Sequence, residues 1–349
     1  MHLACETIRS GSNKTRCALV GGTNLILDPD DPCGLNALGF LSPDSRCYAF
    51  DSRANGYARG DGICMLVLKH IDDAIRDGDP IRAVIRATGL NQDGKTAGIV
   101  LPLQDAQVEL IRSTYELAGV DPADTQYIEL HGTGTKAGDP TEMGAVARTI
   151  ANGRRSSLYC GSVKTQIGHT EAVAGIAGIL KCTLALEHAI IPPHLNFAKA
   201  NQRLQLDSWN IILPTSPVPW PDSEIRRCSV NNFGFGGANA HAILEDAYNY
   251  LRLRGITPSS HYLQDSPSTQ DTDTTSEPQI TIKPTNAEVS GRQPRVFVLS
   301  APEQEAISRQ CHAHASCLKK QGFESSGVLQ DIAYTLFERR SIFQWRHAI

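Results

Sequence analysis

"SLYCGSVKTQIGHTEAVAGIAGILKCTLALEH", residues 157–188, moves from a short apolar run through a polar turn into a long apolar stretch. "SLYCGSV" (157–163) reads as a buried strand. "HTEAVAGIAGILKCTLALEH" reads as a helix apolar almost all round. Its many Ala and Gly residues predict burial on every side and close approach to other backbone. A buried strand feeding a buried helix is the repeating unit of a layered α/β domain.

The same alternation extends outward over residues 1–247. "CALVGG" (17–22), "ICMLVLK" (63–69), "IRAVIRATGL" (81–90), "QYIEL" (126–130) and "CSVNNF" (228–233) read as further buried strands, bounded by Gly, Asp and Asn. "QDAQVELIRSTYELAG" and "DPTEMGAVARTIAN" read as helices. The second is expected to start at Asp139 as N-cap, with Pro140 at the first helical position and Glu142 three residues on. At the N-terminus, Met1, Ala4, Cys5 and Ile8 form one apolar face opposite Glu6 and Arg9, so residues 1–10 predict an amphipathic helix ended by Gly11. From 248 the chain turns to Ser, Thr, Asp and Pro, and 248–293 reads as a flexible linker. "RVFVLSA" then predicts a new strand, followed by helical patterns in 294–349.

The 349 residues carry a net charge of -4, with no basic patch of the size nucleic-acid binding needs. No apolar run is long enough to span a membrane, and no basic segment followed by an apolar core marks a signal peptide. Ten cysteines occur singly, without a C-x-x-C pair, which fits reduced thiols in the cytoplasm. "CHAHASC" (311–317) gathers ligand types on a helical stretch without a second cluster, so no metal site is expected.

Three stretches could carry chemistry, and each begins where a strand ends, the edge at which α/β folds gather ligands. They are "ELHGTGTKAGDPTE" (129–142), "GSVKTQIGHTEAVAG" (161–175) and "NNFGFGGANAHAILE" (231–245). His131 precedes two glycines and the hydroxyls of Thr133 and Thr135. His169 sits before the long helix, whose N-terminal potential favours a neutral imidazole. Lys164 lies in apolar surroundings and needs a carboxylate, for which Glu171 is the candidate. The turn around Phe235 could aim backbone N–H groups at an oxyanion. Taken singly, each feature has a plain structural reading: a His satisfied within the fold, a solvated Lys, a tight turn. The glycine spacing in "HGTGTKAG" lacks the acidic partner of a dinucleotide site.

In this order, the three stretches closely resemble the β-ketoacyl synthase (ketosynthase) domain of polyketide synthases, most of all the reducing fungal type. "FLSPDSRCYAFDSRANGYARGDG" and "NQDGKTAGI" belong to the same pattern, and the segment from 294 resembles the lead from ketosynthase into acyltransferase. The resemblance implies a thiolase-like α/β/α/β/α fold, usually dimeric, and a decarboxylative Claisen condensation of malonyl and acyl thioesters. His131 and His169 match the two catalytic histidines, Lys164 and Glu171 a supporting charged pair, Phe235 an oxyanion donor, and Thr133 and Thr135 the hydroxyls near pantetheine. It implies no directly bound cofactor, substrates carried on phosphopantetheine, and an acyl carrier protein and an acyltransferase domain as partners.

In that family the nucleophilic Cys lies in a "DTACSSSL"-like turn ahead of an "HLAC"-like helix. The resemblance then matches Cys5 to a later, packed cysteine, which agrees with its place in an apolar stripe, where a thiol without a cation stays protonated. The expectation is a ketosynthase truncated at both ends, with the N-terminal half largely missing and the nucleophile absent. Loss of a nucleophile costs on the order of 10⁶ in rate, so condensation by this chain alone is not expected. The chain would act as a homodimer or with a complementing N-terminal fragment, or serve as an inactive remnant or interaction module pairing with an intact synthase or a separate N-terminal fragment.

Overall fold

A computed structural model describes residues 1–10, 15–98, 100–256 and 297–321, with short parts of 332–348. It divides into two units, Met1–Ser266 and Pro267–Ile349.

In the first unit the chain runs through helix α1 (His2–Arg9), strand β1 (Cys17–Asn24), α2 (Asp30–Ala37), β2 (Gly62–Lys69), α3 (Ile71–Arg76), β3 (Ala83–Gln92) and α4 (Gln104–Ala118). It continues through β4 (Tyr127–Glu129), α5 (Gly138–Ala147), β5 (Leu158–Gly161), α6 (Lys164–Ile167) and α7 (Ala174–His188). After these come the short strands β6 (Ile190–Ile191), β7 (Ile211–Ile212) and β8 (Val218–Pro219), then β9 (Arg227–Phe233), β10 (Ala238–Asp246) and α8 (Ala247–Arg252).

The main sheet has the order β3-β10-β9-β4-β5-β7. Its β4, β5, β7 and β9 pair in parallel, and β10 joins β9 and β3 in antiparallel. One face carries α4 and α5, through Val108, Ile111, Tyr115, Met143 and Val146 against Ile128, Leu158 and Ile243. The other face carries α7, through Ile179, Cys182, Ala185 and Leu186 against Tyr127, Cys228, Val230 and Leu244. Beyond α7 lies the antiparallel ribbon β1–β2, whose Leu66 reaches the same apolar cluster. The order of layers is therefore helices, sheet, helix, ribbon. This is why α7 is apolar nearly all round: both of its broad faces are covered, and only a narrow strip around Leu184 meets solvent.

The ribbon differs from the expectation of two buried strands. Residues opposite each other in an antiparallel pair share a face. The pairs Leu19↔Val67, Gly21↔Met65 and Thr23↔Ile63 all face outward. Leu19, Ile63, Met65 and Val67 are 67, 69, 63 and 71% exposed. The apolar runs predict burial on both sides, but the first unit covers only one.

The layered unit also runs past 247. The Asp246 side chain accepts the Asn249 N–H and caps α8, which packs its Ala247, Tyr250 and Leu251 against Val84. Residues 248–256 are thus part of the fold, and the rest of the expected linker lies outside the described residues. In the second unit, β11 (Val298–Ala301) and β12 (Trp345–Ala348) pair antiparallel, and α9 (Gln304–Gln321) follows β11. Of the helical patterns expected in 294–349, "LQDIAYTLFERR" (329–340) falls largely outside the described residues. No described helix is long and apolar enough to cross a membrane.

Candidate active site

His131 stands just beyond β4, where the chain leaves the sheet and its N–H groups lose their ladder partners. Two carboxylates of α5 replace those partners. Glu142 accepts the N–H of His131 at 2.7 Å and of Gly132 at 2.9 Å, and the Asn231 side-chain amide at 2.9 Å. Asp139 accepts the N–H of Gly134 at 3.1 Å and of Phe50 at 2.6 Å. The expected N-cap is therefore corrected: α5 begins at Gly138, Ala137 is the cap residue, and the Asp139 side chain turns back onto the Gly-rich loop. Burial pushes the Asp139 carboxyl up to about 7 and raises that of Glu142, each partly offset by the N–H donors.

His169 is held by backbone on both sides. Its N–H donates to Ala58 O at 2.7 Å, and its carbonyl accepts from Gly60 N at 3.0 Å. Gly168 makes this approach possible. Its φ is 76°, and a Cβ there would stand 2.6 Å from Arg59 O. The ring Nδ1 accepts the Glu171 N–H at 2.9 Å, which places the ring proton on Nε2.

The two imidazoles meet edge to face, with centroids 5.5 Å apart and planes at 83°. The Asn232 Oδ1 lies 3.2 Å from His131 Nδ1. No hydrogen-bond partner occupies Nε2 of either ring among the described residues. Burial lowers the His169 pKa to about 2, helped by the charges of Lys164 and Arg59. Burial, then Lys164 and His169, holds His131 well below its ordinary value. Both rings are neutral at pH 7. The expected cause was the end of the long helix. The structure instead assigns it to desolvation and two cations, since α7 starts only at Ala174, after a 3₁₀ turn over Glu171–Val173.

Lys164 and Glu171 do not form the expected pair. The Glu171 carboxylate meets Arg59 at 3.1 Å, and Arg59 also holds Asp31 at 2.8 Å. Buried Lys164 instead feels Glu129 and Glu142, which raise its pKa against a larger lowering by burial. Arg59, Asn231 and Asn232 are thus site residues that sequence reasoning passed over, although all three lie within stretches already singled out.

The Thr133 and Thr135 hydroxyls lie 3.3 Å apart beside the same loop, and Thr135 Oγ1 accepts the Gly138 N–H. Phe235 lies in the turn between β9 and β10, its ring 5.9 Å from that of Phe40. Its backbone N–H has no acceptor among the described residues. Cys5 sits half-buried on α1, and burial raises its thiol pKa, as it does for Cys47, Cys160 and Cys182. Among the described residues no group of three or more His, Cys, Asp or Glu side chains is placed to hold a metal ion.

Two neutral, edge-on imidazoles and a buried lysine gather where strands of the sheet end, and sequence and structure comparisons say which family carries them. Residues 1–74 match the β-ketoacyl synthase N-terminal domain, 82–198 the β-ketoacyl synthase C-terminal domain, and 201–348 the ketoacyl-synthetase C-terminal extension. The chain belongs to the β-ketoacyl synthase family. It is 45% identical, over 99% of its length, to a partially reducing polyketide synthase of Talaromyces stipitatus, and 44% identical over 99% to a highly reducing polyketide synthase of Emericella nidulans. It spans only 13% and 14% of those two proteins. The ketosynthase from module 6 of the bacillaene synthase of Bacillus subtilis superposes with a TM-score of 0.80 at 33% identity, covering 99% of this chain and 54% of that one. An oxazolomycin ketosynthase domain of Streptomyces albus gives 0.81 at 32%, with 100% and 54% covered. The layers described above are those of the thiolase-like ketosynthase fold.

Proposed function

We propose that this chain supplies the enolate-stabilising part of a ketosynthase site in polyketide synthesis. The observation that carries the reading is the pair of neutral imidazoles whose Nε2 atoms make no hydrogen bond among the described residues, with the Glu171 carboxylate 4.0 Å from His169 Nε2. The substrate would be a malonyl thioester on the phosphopantetheine arm of an acyl carrier protein, with the Thr133 and Thr135 hydroxyls available to the arm's amides. The bond from the malonyl α-carbon to its carboxylate breaks, carbon dioxide leaves, and the electron pair moves through the α-carbon onto the thioester oxygen. His169 Nε2–H donates to that developing oxyanion. A preorganised donor of this kind lowers the barrier by roughly 3 kcal/mol. At His131, Asn232 Oδ1 faces Nδ1 and places that ring's proton on Nδ1; with the Asn232 amide turned over, its NH₂ would donate to Nδ1 and leave a second donor on Nε2.

Condensation needs a further group, a thiolate to hold the acyl chain. A nucleophilic cysteine has a depressed pKa. Cys5, Cys47, Cys160 and Cys182 are all shifted the other way. On this reading none of these four is the acyl acceptor, and a complementing ketosynthase half or partner subunit provides it, with an acyltransferase domain loading the malonyl group.

The test is release of labelled carbon dioxide from malonyl carrier protein, alongside a search for a β-ketoacyl product. Slow release that falls about 100-fold in His169→Ala, without a chain-extended product, supports the proposal. Release unchanged in the His131→Ala/His169→Ala double variant would overturn it. The second reading, an interaction module, draws on the outward apolar face of β1–β2. It gains if the folded chain binds an intact synthase but releases no carbon dioxide.

A further inference from the structure

Glu129, the last residue of β4, is almost wholly buried, and both its oxygens are engaged. Oε1 accepts the Val163 N–H at 2.5 Å. Oε2 accepts from Lys181 Nζ at 2.7 Å and from the Tyr127 hydroxyl at 2.6 Å. Lys181 comes from the middle of α7, on the covered face of the sheet, and its Nζ lies 5.5 Å from the centre of the Tyr127 ring. Two glycines leave room for the group. A Cβ on Gly178 would lie 3.3 Å from Glu129 Cγ, and one on Gly161 would lie 2.7 Å from the Tyr127 hydroxyl and 3.4 Å from Lys181 Nζ. Neither glycine has a positive φ, so the backbone does not require them. The space they leave is taken up by the ion pair.

The bond to Val163 fixes the residue directly before Lys164. The next N–H back, that of Ser162, is fixed by Nδ1 of buried His194 at 3.2 Å, whose Nε2 donates to Ala49 O. The corner that carries Lys164 is thus pinned at two successive amides by side chains from β4 and from the segment after β6. A buried ion pair adds little net stability over apolar packing of the same volume. Its cost is better matched by a role in placing charge.

We propose that Glu129 and Lys181 are positioning residues of the site: Glu129 anchors the Lys164 corner and is that lysine's counter-charge, while Lys181 sets how much of the Glu129 charge reaches it. The inference rests on the reading that Lys164 serves the two imidazoles, and it adds how that lysine is held. The charged and titratable groups facing Lys164 are Glu129 on β4, Glu142 on α5, Cys47 from the segment between α2 and β2, Lys181 on α7, and the rings of His131 and His169.

The test is the titration of the Lys164 ammonium in the full chain, followed by NMR with lysine labelled at Cε and assigned with Lys164→Met. Glu129→Gln keeps an acceptor for Val163 but removes the counter-charge, so the midpoint should fall by about one pH unit. Lys181→Met frees the full charge of Glu129 and removes a like charge, so the midpoint should rise. The Glu129→Gln/Lys181→Met double variant, neutral at both positions, should lie between, and Lys181→Arg should restore the original value. A loosened fold would instead let water reach Lys164 and move every variant upward towards the ordinary lysine value. Upward shifts in both Glu129→Gln and Lys181→Met, or no shift in either, would overturn the proposal. If Lys181→Met fails to fold, Glu129→Gln and the neutral double variant still give the sign. No turnover is needed, so a failure here is separate from a failure of the carbon dioxide assay.

Discussion

Replacing Gly168 by Ala tests how His169 is held. With φ 76° and ψ -178°, Gly168 occupies a region that residues with a Cβ essentially never enter. Forcing Ala there costs about 1–3 kcal/mol in backbone strain. The added methyl would stand 2.6 Å from Arg59 O and 2.9 Å from Arg59 C, both backbone atoms that cannot rotate away. Overpacking of that kind adds about 1–3 kcal/mol. The sum, about 2–6 kcal/mol, is a large part of the 5–15 kcal/mol that typically holds a domain together. Gly153 is the control. Its φ is 68°, and a Cβ there meets nothing within 4 Å, so Gly153→Ala should cost only about 1 kcal/mol. Urea unfolding followed by circular dichroism measures both variants. Hydrogen exchange at the His169 amide, which donates to Ala58 O, shows whether the local clasp has opened. Equal losses in the two variants, with the His169 amide still protected in Gly168→Ala, would refute the argument that close approach to Arg59 requires glycine.

Acid should destabilise the chain early. His131, His169, His194 and His241 all have native pKa values held down by burial, the last three at about 2, 4 and 3. The unfolded chain binds protons at these groups below pH 6.5, so stability is full above that pH. It is lost as pH falls, by up to about 1.4 kcal/mol per unit for each ring. Asp139, raised to about 7, opposes one of the four between pH 7 and 4. A urea midpoint unchanged between pH 7 and pH 5 would contradict this. On the outer face of the ribbon, Leu19→Glu with Val67→Lys replaces an exposed apolar cross-strand pair by an ion pair. Sedimentation should show less self-association, with the unfolding free energy within about 1 kcal/mol of the original. Cys5→Ala should cost about 1 kcal/mol without changing carbon dioxide release, and Cys5 in the folded chain should alkylate slowly; rapid labelling by an acyl thioester analogue would reopen its assignment.

The sequence shows where the chain leaves the sheet more plainly than what waits there. His131, His169, Thr133 and Thr135 all follow apolar strand runs, so their gathering where strands end is legible from period and turn chemistry alone. Charge partnerships are not. Glu171 is seven residues from Lys164 yet pairs with Arg59, 112 residues away, because the 3₁₀ turn after His169 swings it towards the ribbon. Lys181 reads as one polar residue in an apolar helix, and only the register of α7 on β4 brings it to Glu129. Asp139 satisfies every local rule for a helix cap, but a loop short of acceptors draws its carboxylate away. The strand pattern of β1 and β2 is likewise sound, but alternation cannot say whether a second layer covers the far face.

The ribbon and the second imidazole share a mechanical joint. Ala58 and Gly60, whose backbone clasps His169, lie just ahead of Gly62, where β2 begins. Arg59 lies between them and reaches Glu171, whose own N–H fixes the ring's proton. Two residues of chain and one ion pair are all that separate the start of the ribbon from the imidazole. The clasp that orients His169 and the first residues of the ribbon are thus one continuous piece of backbone.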